Sequence, residues 1–282
     1  MKIPKRLQPL IEDGLIDGVA RQLMSGKEAM VFVVRCGIET RCAKVYKEAN
    51  KRSFRQAVDY TENRKTKNTR QARAMAKGTR FGRQSQERAW QSAEVDALYR
   101  LSAAGVRVPK PYNFHEGVLV MELVTDALGN AAPRLNDVEL SPDLARSFHH
   151  QLIREVVRML CAGVVHGDLS EFNILVGSDG PVIIDLPQAV DAAGNNHAAR
   201  MLERDVVNLR TYFGRFAPEL LATKYGKEIW ALYEAGTLQA TTELTGRFAR
   251  RQQAVDLDGV LSEIEDARFE EAEKRRRLQA VE

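Results

Sequence analysis

The 282-residue chain reads as an α+β protein of two unequal lobes, a small antiparallel sheet with one main helix followed by a mainly helical half. Three observations set this expectation. Short β-branched and aromatic runs occur at Met30 to Val34, Arg41 to Tyr46 and Val118 to Val124. From Ser141 onward apolar residues recur at helical spacing. Between the two patterns, Thr125 to Leu140 is rich in Asn, Pro and Gly and reads as a connector. With 44% apolar residues the chain can bury a sizeable core.

Residues 1–20 form an N-terminal segment, and 21–124 the sheet lobe. Met30 to Val34, a turn at Gly37 and Arg41 to Tyr46 predict an antiparallel hairpin. A helix is expected from about Glu87 to Ala103, ended by Gly105, with Trp90, Ala97, Leu98 and Leu101 on one face. Glu94 falls on that same apolar face and needs a partner there, because an unpaired buried charge costs several kcal/mol. Val118 to Val124 is a further strand. The helical lobe, residues 125–250, opens with Ser141 as N-cap and Pro142 at the first helical position. Leu144, Phe148, Leu152, Val156 and Met159 line one side of that helix, and Gly163 ends it. Further helices are expected near Glu203 to Phe213 and Gly226 to Ala235. Residues 251–282 carry a final charged helix, about Leu257 to Leu278, ending in the basic run Lys274 to Arg277.

Composition excludes several classes. No apolar run reaches the ~20 residues of a membrane span, and Glu122 interrupts the best candidate. The N-terminus has no apolar stretch behind its charges, which points to a cytoplasmic protein. Cys36, Cys42 and Cys161 include no C-x-x-C pair, and five scattered histidines give no zinc pattern. The charge is uneven. Residues 50–88 hold 12 Lys or Arg against three acids, a net +9, which leaves −5 for the rest of a chain of net +4. That segment has few large apolar residues and reads as a mobile or partly helical insertion, either a solvated loop or a surface for phosphate-rich partners such as RNA.

Chemistry concentrates in Val165 to Asp185. Ile174 to Val176 and Val182 to Ile184 are short strands, and Gly177-Ser178-Asp179-Gly180 is turn chemistry, so a hairpin is expected. Antiparallel pairing returns Asn173 and Asp185 to the same open end. Asp168, five residues before Asn173, lies in the loop entering it. Two carboxylates and an amide oxygen then converge, a donor set suited to hard cations such as Mg²⁺ and the phosphates they carry.

His166-Gly167-Asp168-Leu169-Ser170-Glu171-Phe172-Asn173, with a strand-borne Asp185 after it, resembles the catalytic and metal-binding pair of kinases. The wording, with Ile184-Asp185-Leu186-Pro187-Gln188, is similar to the RIO family of atypical serine/threonine protein kinases, over roughly residues 20 to 215. The resemblance implies a two-lobed protein-kinase-like fold that binds ATP with Mg²⁺ or Mn²⁺. It makes Asp168 the catalytic base, and Asn173 and Asp185 the metal ligands, Asp185 being itself a possible phosphate acceptor. Ser25, Gly26, Lys27, Glu28 and Ala29 match the family's short phosphate loop, Lys44 its nucleotide-binding lysine and Glu94 the helix partner of that lysine. Val31 and Cys42 would roof the adenine, Leu175 and Ile184 floor it. Glu122 to Val124 would be the hinge, with Met121 as gatekeeper.

The same likeness has other implications. Ser170 stands where protein kinases usually have a lysine, and only 16 residues separate Gln188 from Asp205, leaving little room for peptide docking. Asp205 would brace the catalytic loop or be satisfied in its own helical turn. The short N-terminal segment fits the first RIO subfamily or its bacterial relatives. The basic segment falls where the family has a flexible, autophosphorylated loop; Ser53, Thr61, Thr66, Thr69, Thr79 and Ser85 are the candidates there. Expected partners are ATP, a protein substrate or the chain itself, and RNA or a ribosomal particle through residues 50–88, with no membrane. Two rivals are a small-molecule kinase of the aminoglycoside or choline type and an RNA-binding module switched by nucleotide.

Overall fold

The computed structural model describes residues 3–26, 28–47 and 93–249. The basic segment, Lys27, Trp90 and the C-terminal helix therefore lie outside the described residues. The chain divides into two compact units, 1–247 and 248–282, and every described helix and strand belongs to the first.

Five antiparallel strands, β1 (Gly18–Ser25), β2 (Ala29–Cys36), β3 (Glu39–Tyr46), β4 (Pro111–His115) and β5 (Val118–Glu122), form one sheet in the order β1-β2-β3-β5-β4. The β2–β3 hairpin is in register from Ala29↔Tyr46 to Cys36↔Glu39, closing on Gly37 at φ +64°, where a side chain would be strained. β5 is shorter than the sequence suggests, and Leu123 and Val124 lie beyond it. β1 begins inside the 1–20 segment, and register shifts at Val19/Arg21 and Gln22/Met24 break its alternation, which hides the strand in the polarity pattern.

Because side chains alternate across a strand, the sheet presents two different faces. On one, Phe32, Val34, Ala43, Val45, Val118 and Val120 form a core with Leu7, Leu10 and Ile16. Those three come from the N-terminal segment, which folds into a 3-10 turn (Lys5–Leu7) and helix α1 (Gln8–Glu12). Burying each large side chain there contributes about 1.5–3 kcal/mol. Arg6 pins the segment by donating to the Tyr46 carbonyl at 2.7 Å.

The opposite face continues into the main core. Residues 93–103 are helical (α2), and Val95, Leu98 and Leu101 are buried in one cluster with Tyr46, Leu119 and the apolar residues of the helical half. In that half α3 (Pro142–Cys161) starts at Ser141, whose hydroxyl accepts from the Leu144 amide at 3.2 Å, and stops before Gly163 at φ +72°. Phe148, Leu152, Val156 and Met159 are buried, whereas Leu144 in the first turn is exposed. Strand β6 (Val164–Val165) pairs with β9 (Val190–Asp191), and β7 (Ile174–Gly177) with β8 (Gly180–Ile183). Helix α4 (Ala198–Phe213) begins earlier than the expected 203, and α5 (Tyr225–Glu234) closes the half. Among the described residues no helix is long and apolar enough to cross a membrane, and all three cysteines are free.

Candidate active site

Between the sheet's inner face and β7 lies a cleft of about 550 Å³. Alternation along β3 aims Cys42 and Lys44 into it while Ala43 and Val45 face the outer core. Gly26, Glu28, Ala29, Val31, Met121, Glu122, Val124, Leu175, Ile184 and Asp185 also line it. Burial pushes the Cys42 thiol up to about 12, so it stays protonated and behaves as an apolar wall. Ser25 and Glu94 are not part of the lining, and Lys27 is outside the described residues.

Glu94, buried on α2, stands behind the lysine. Lys44 Nζ lies 2.5 Å from Glu94 Oε1 and 3.0 Å from Asp185 Oδ1. Burial opposes the ammonium, but Glu94 and Asp185 outweigh it and hold Lys44 well above its ordinary value. The second Glu94 oxygen accepts from the Tyr46 hydroxyl at 2.8 Å. Both oxygens of a buried carboxylate are thus engaged, which is the partner its place on an apolar face demanded. Lys47 bonds the Gly26 carbonyl at 2.6 Å and the Ser25 hydroxyl at 3.3 Å, tying the β1–β2 turn to the end of β3.

The second group of residues sits at the mouth of the β7–β8 hairpin. Ile174 pairs with Ile183 around a two-residue Ser178-Asp179 turn, and the Ile184 amide donates to the Asn173 carbonyl at 3.0 Å. Antiparallel pairing therefore brings Asn173 and Asp185 to one end. Asp185 is held at φ +66°, a conformation non-glycine residues rarely adopt and one that concentrates at functional sites. Asn173 Nδ2 donates to the Asp168 carbonyl at 2.8 Å, which closes the loop between them. Asp168 and Asn173 lie on this loop rather than in the cleft lining.

Residues around the loop fix its shape. Asp205 accepts from the Gly167 amide at 2.8 Å and the Leu169 amide at 3.0 Å. It lies in the middle of α4, not in a first turn, so it braces the loop rather than its own helix. Burial pushes its carboxyl up to about 6 against those two amides. Gly167 has φ +80°, which only glycine takes without strain. His166 accepts from the Asp168 amide on Nδ1 at 3.3 Å, which leaves Nε2 to donate to the Ile184 carbonyl at 3.1 Å. Asn208 bonds the Leu169 carbonyl at 3.0 Å, and Arg204 that of Gly167.

The two aspartates differ electrostatically. Burial raises Asp168, and the nearby Asp185 charge adds to this against His166 and Arg204. Burial would also raise Asp185, but Lys44 outweighs it and holds that carboxyl below the usual range. Environments that push paired carboxylates apart separate a proton acceptor from a permanent anion.

Sequence reasoning missed the anchor of Glu122. Arg107 forks onto Glu122 at 2.8 and 2.9 Å, while its own amide donates to Glu155 at 2.9 Å and its carbonyl accepts from Ile183 at 3.0 Å. It also missed the connector's share of the cleft, Ala131 to Arg134 and Asp137. Nothing local in the sequence announces either, since both depend on chain segments meeting in space.

A five-stranded antiparallel sheet over a mainly helical half, with a lysine–glutamate pair inside the intervening cleft, defines a protein-kinase-like fold. Residues 30–225 match the RIO domain family model. The RIO-type serine/threonine-protein kinase Rio1 of Haloferax volcanii is 37% identical over 211 residues, 73% of this chain and 67% of that protein. The protein of the same name from Methanocaldococcus jannaschii is 35% identical over 193 residues, 68% of this chain and 61% of its own length. Human serine/threonine-protein kinase RIO1 is 35% identical over 137 residues, 48% of this chain but 24% of that longer protein. The chain belongs to the RIO family of atypical serine/threonine protein kinases. ATP and a divalent metal come with that membership.

Proposed function

We propose that the cleft binds ATP with Mg²⁺, Mn²⁺ serving in its place, and transfers the terminal phosphoryl group to a serine or threonine hydroxyl of a protein or of the chain itself. The single observation that supports this most is Lys44 held between Glu94 and Asp185 beside the Asp168–Asn173 loop. In this reading Lys44 and the Ser25 to Ala29 turn position the triphosphate, Val31 and Cys42 cover the adenine, and Leu175 and Ile184 support it. Met121 stands at the back as gatekeeper, and the backbone of Glu122 to Val124 receives the base. Asp168, raised by burial, orients the hydroxyl and accepts its proton.

The donor set fits the metal. Asn173 turns its amide nitrogen to the Asp168 carbonyl, leaving its oxygen for a cation, and Asp185 keeps its second oxygen beside the one facing Lys44. Among the described residues no group of three His, Cys, Asp or Glu side chains could hold a metal by itself. Mg²⁺ characteristically takes one or two protein ligands and completes its shell with phosphates and water. When bound it neutralises charge that develops on the phosphates.

A second reading, ATP hydrolysis with Asp185 as phosphate acceptor, is favoured by the segment after it. Leu186, Ala189, Val190 and Ala192 are buried and α4 begins at Ala198, so little chain remains to dock a peptide. Incubation with labelled ATP and Mg²⁺ should yield phosphoprotein or free phosphate, lost in Asp168→Ala and Asp185→Ala. Activity that persists in both variants would remove the assignment. Binding of RNA or a ribosomal particle through residues 50–88 is a further part of the proposal, supported by their net charge of +9. Affinity for RNA should fall steeply between 50 and 200 mM salt, on the order of 10³–10⁵-fold for six to ten phosphate contacts.

A further inference from the structure

Four carboxylates line the cleft, Glu28, Glu122, Asp137 and Asp185, so a polyanion bound there needs every cation the wall offers. Two cationic side chains occur among its described lining residues, Lys44 and Arg134. Lys44 is already matched by two carboxylates. Glu122 is matched by Arg107. Arg134 is half-buried in the cleft wall, yet no carboxylate lies within salt-bridge distance of it among the described residues. Its guanidinium instead donates to the Met24 sulfur at 3.4 Å, and a thioether is a weak acceptor. The backbone that carries it is fixed: Arg134 bridges to Leu175 in the floor, and the Pro133 carbonyl accepts from the Val176 amide at 2.9 Å. Arg134 is also close enough to Asp185 to help keep that carboxyl ionised.

An anchored guanidinium that reaches from the floor to β1, bonded among the described residues to a sulfur, is poised to exchange that contact for an oxyanion. The exchange gains a charge-assisted bond and gives up a weak one. Resting on the reading of the cleft as an ATP site, we infer that Arg134 binds the phosphates of the nucleotide from the floor, opposite the β1–β2 turn, and leaves the Met24 sulfur when it does so. It is a specificity residue for phosphorylated over unphosphorylated nucleosides.

The test is a titration of the full-length protein and its Arg134→Met and Arg134→Lys variants with adenosine, ADP and ATP. Arg134→Met keeps an unbranched chain against Met24 while removing the charge. It should weaken ADP and ATP by about ten- to a hundredfold, the range for loss of a hydrogen bond to a charged group, and leave adenosine within about twofold. Arg134→Lys should retain part of the phosphate preference. An equal loss for all three ligands would make Arg134 a packing residue, and no loss for any would remove it from the site; either result overturns the inference. Failure of the unsubstituted protein to prefer ATP over adenosine would instead overturn the reading of the cleft, and the inference with it.

Discussion

The two faces of the same five strands have opposite chemistry. Outward, Phe32, Val34, Ala43 and Val45 meet Leu7, Leu10 and Ile16 in a core without a charged member. Inward, one residue along, Val31, Cys42 and Lys44 line a cleft that ends at Asp185. The outer face is closed by the N-terminal segment, so its contribution is stability alone. The inner face leaves room for a ligand and pairs its buried charges with one another. A period of two is what lets adjacent residues of one strand serve folding and chemistry separately.

That separation can be broken from either side. Asp168→Asn should have the largest effect, lowering phosphate transfer by about 10²–10⁴-fold with the thermal midpoint nearly unchanged, because the loop is held by Asp205 and by the backbone of Asp168. A matching loss of stability would show that the loop, not the base, had been removed. Leu10→Ala should do the reverse. It costs about 2–5 kcal/mol in denaturant unfolding, and the folded fraction keeps its nucleotide affinity.

The helical half carries a pH-dependent contribution to stability of its own. His149 is buried between the Phe213 and Tyr225 rings, its Nε2 without a hydrogen-bond partner among the described residues, and burial pushes it down to about 4. Between that value and the ordinary 6.5 the unfolded state takes up the proton and the folded state does not, so stability is complete above about 6.5 and falls as pH drops toward 4. The loss is on the order of 3 kcal/mol. In His149→Phe the unfolding midpoint should lose that part of its slope, and an unchanged slope would reassign it to another group. Tyr46→Phe should have the smallest effect, about 1–3 kcal/mol from leaving Glu94 Oε2 without its donor. It sharpens the comparison because Tyr46 sits on the inner face yet outside the cleft lining, so stability should change more than affinity for ATP.

Much of this arrangement is legible in the residues. The β2–β3 hairpin, the Ser141 cap and the β7–β8 hairpin are local, set by alternation, capping chemistry and a two-residue turn. Asn173 and Asp185 can be placed together because an antiparallel pair fixes which residues share an end. Glu94 can be seen to need a partner, but Lys44 is supplied by family resemblance. Other features are out of reach. The bulges in β1 hide its alternation, and α4 starts after His197, which makes no side-chain cap, so no capping chemistry marks its beginning.

By itself the sequence determined the β2–β3 and β7–β8 hairpins, the meeting of Asn173 and Asp185 at one hairpin end and the uneven charge, since each depends on neighbours close along the chain. Only the tertiary structure decided which face the N-terminal segment covers, that Asp205 braces Gly167 and Leu169, that Arg107 locks Glu122, and that Arg134 faces the cleft. The bond from Gly167 to Asp205 alone spans 38 positions, and no local propensity encodes a contact whose partner arrives only when the core has closed.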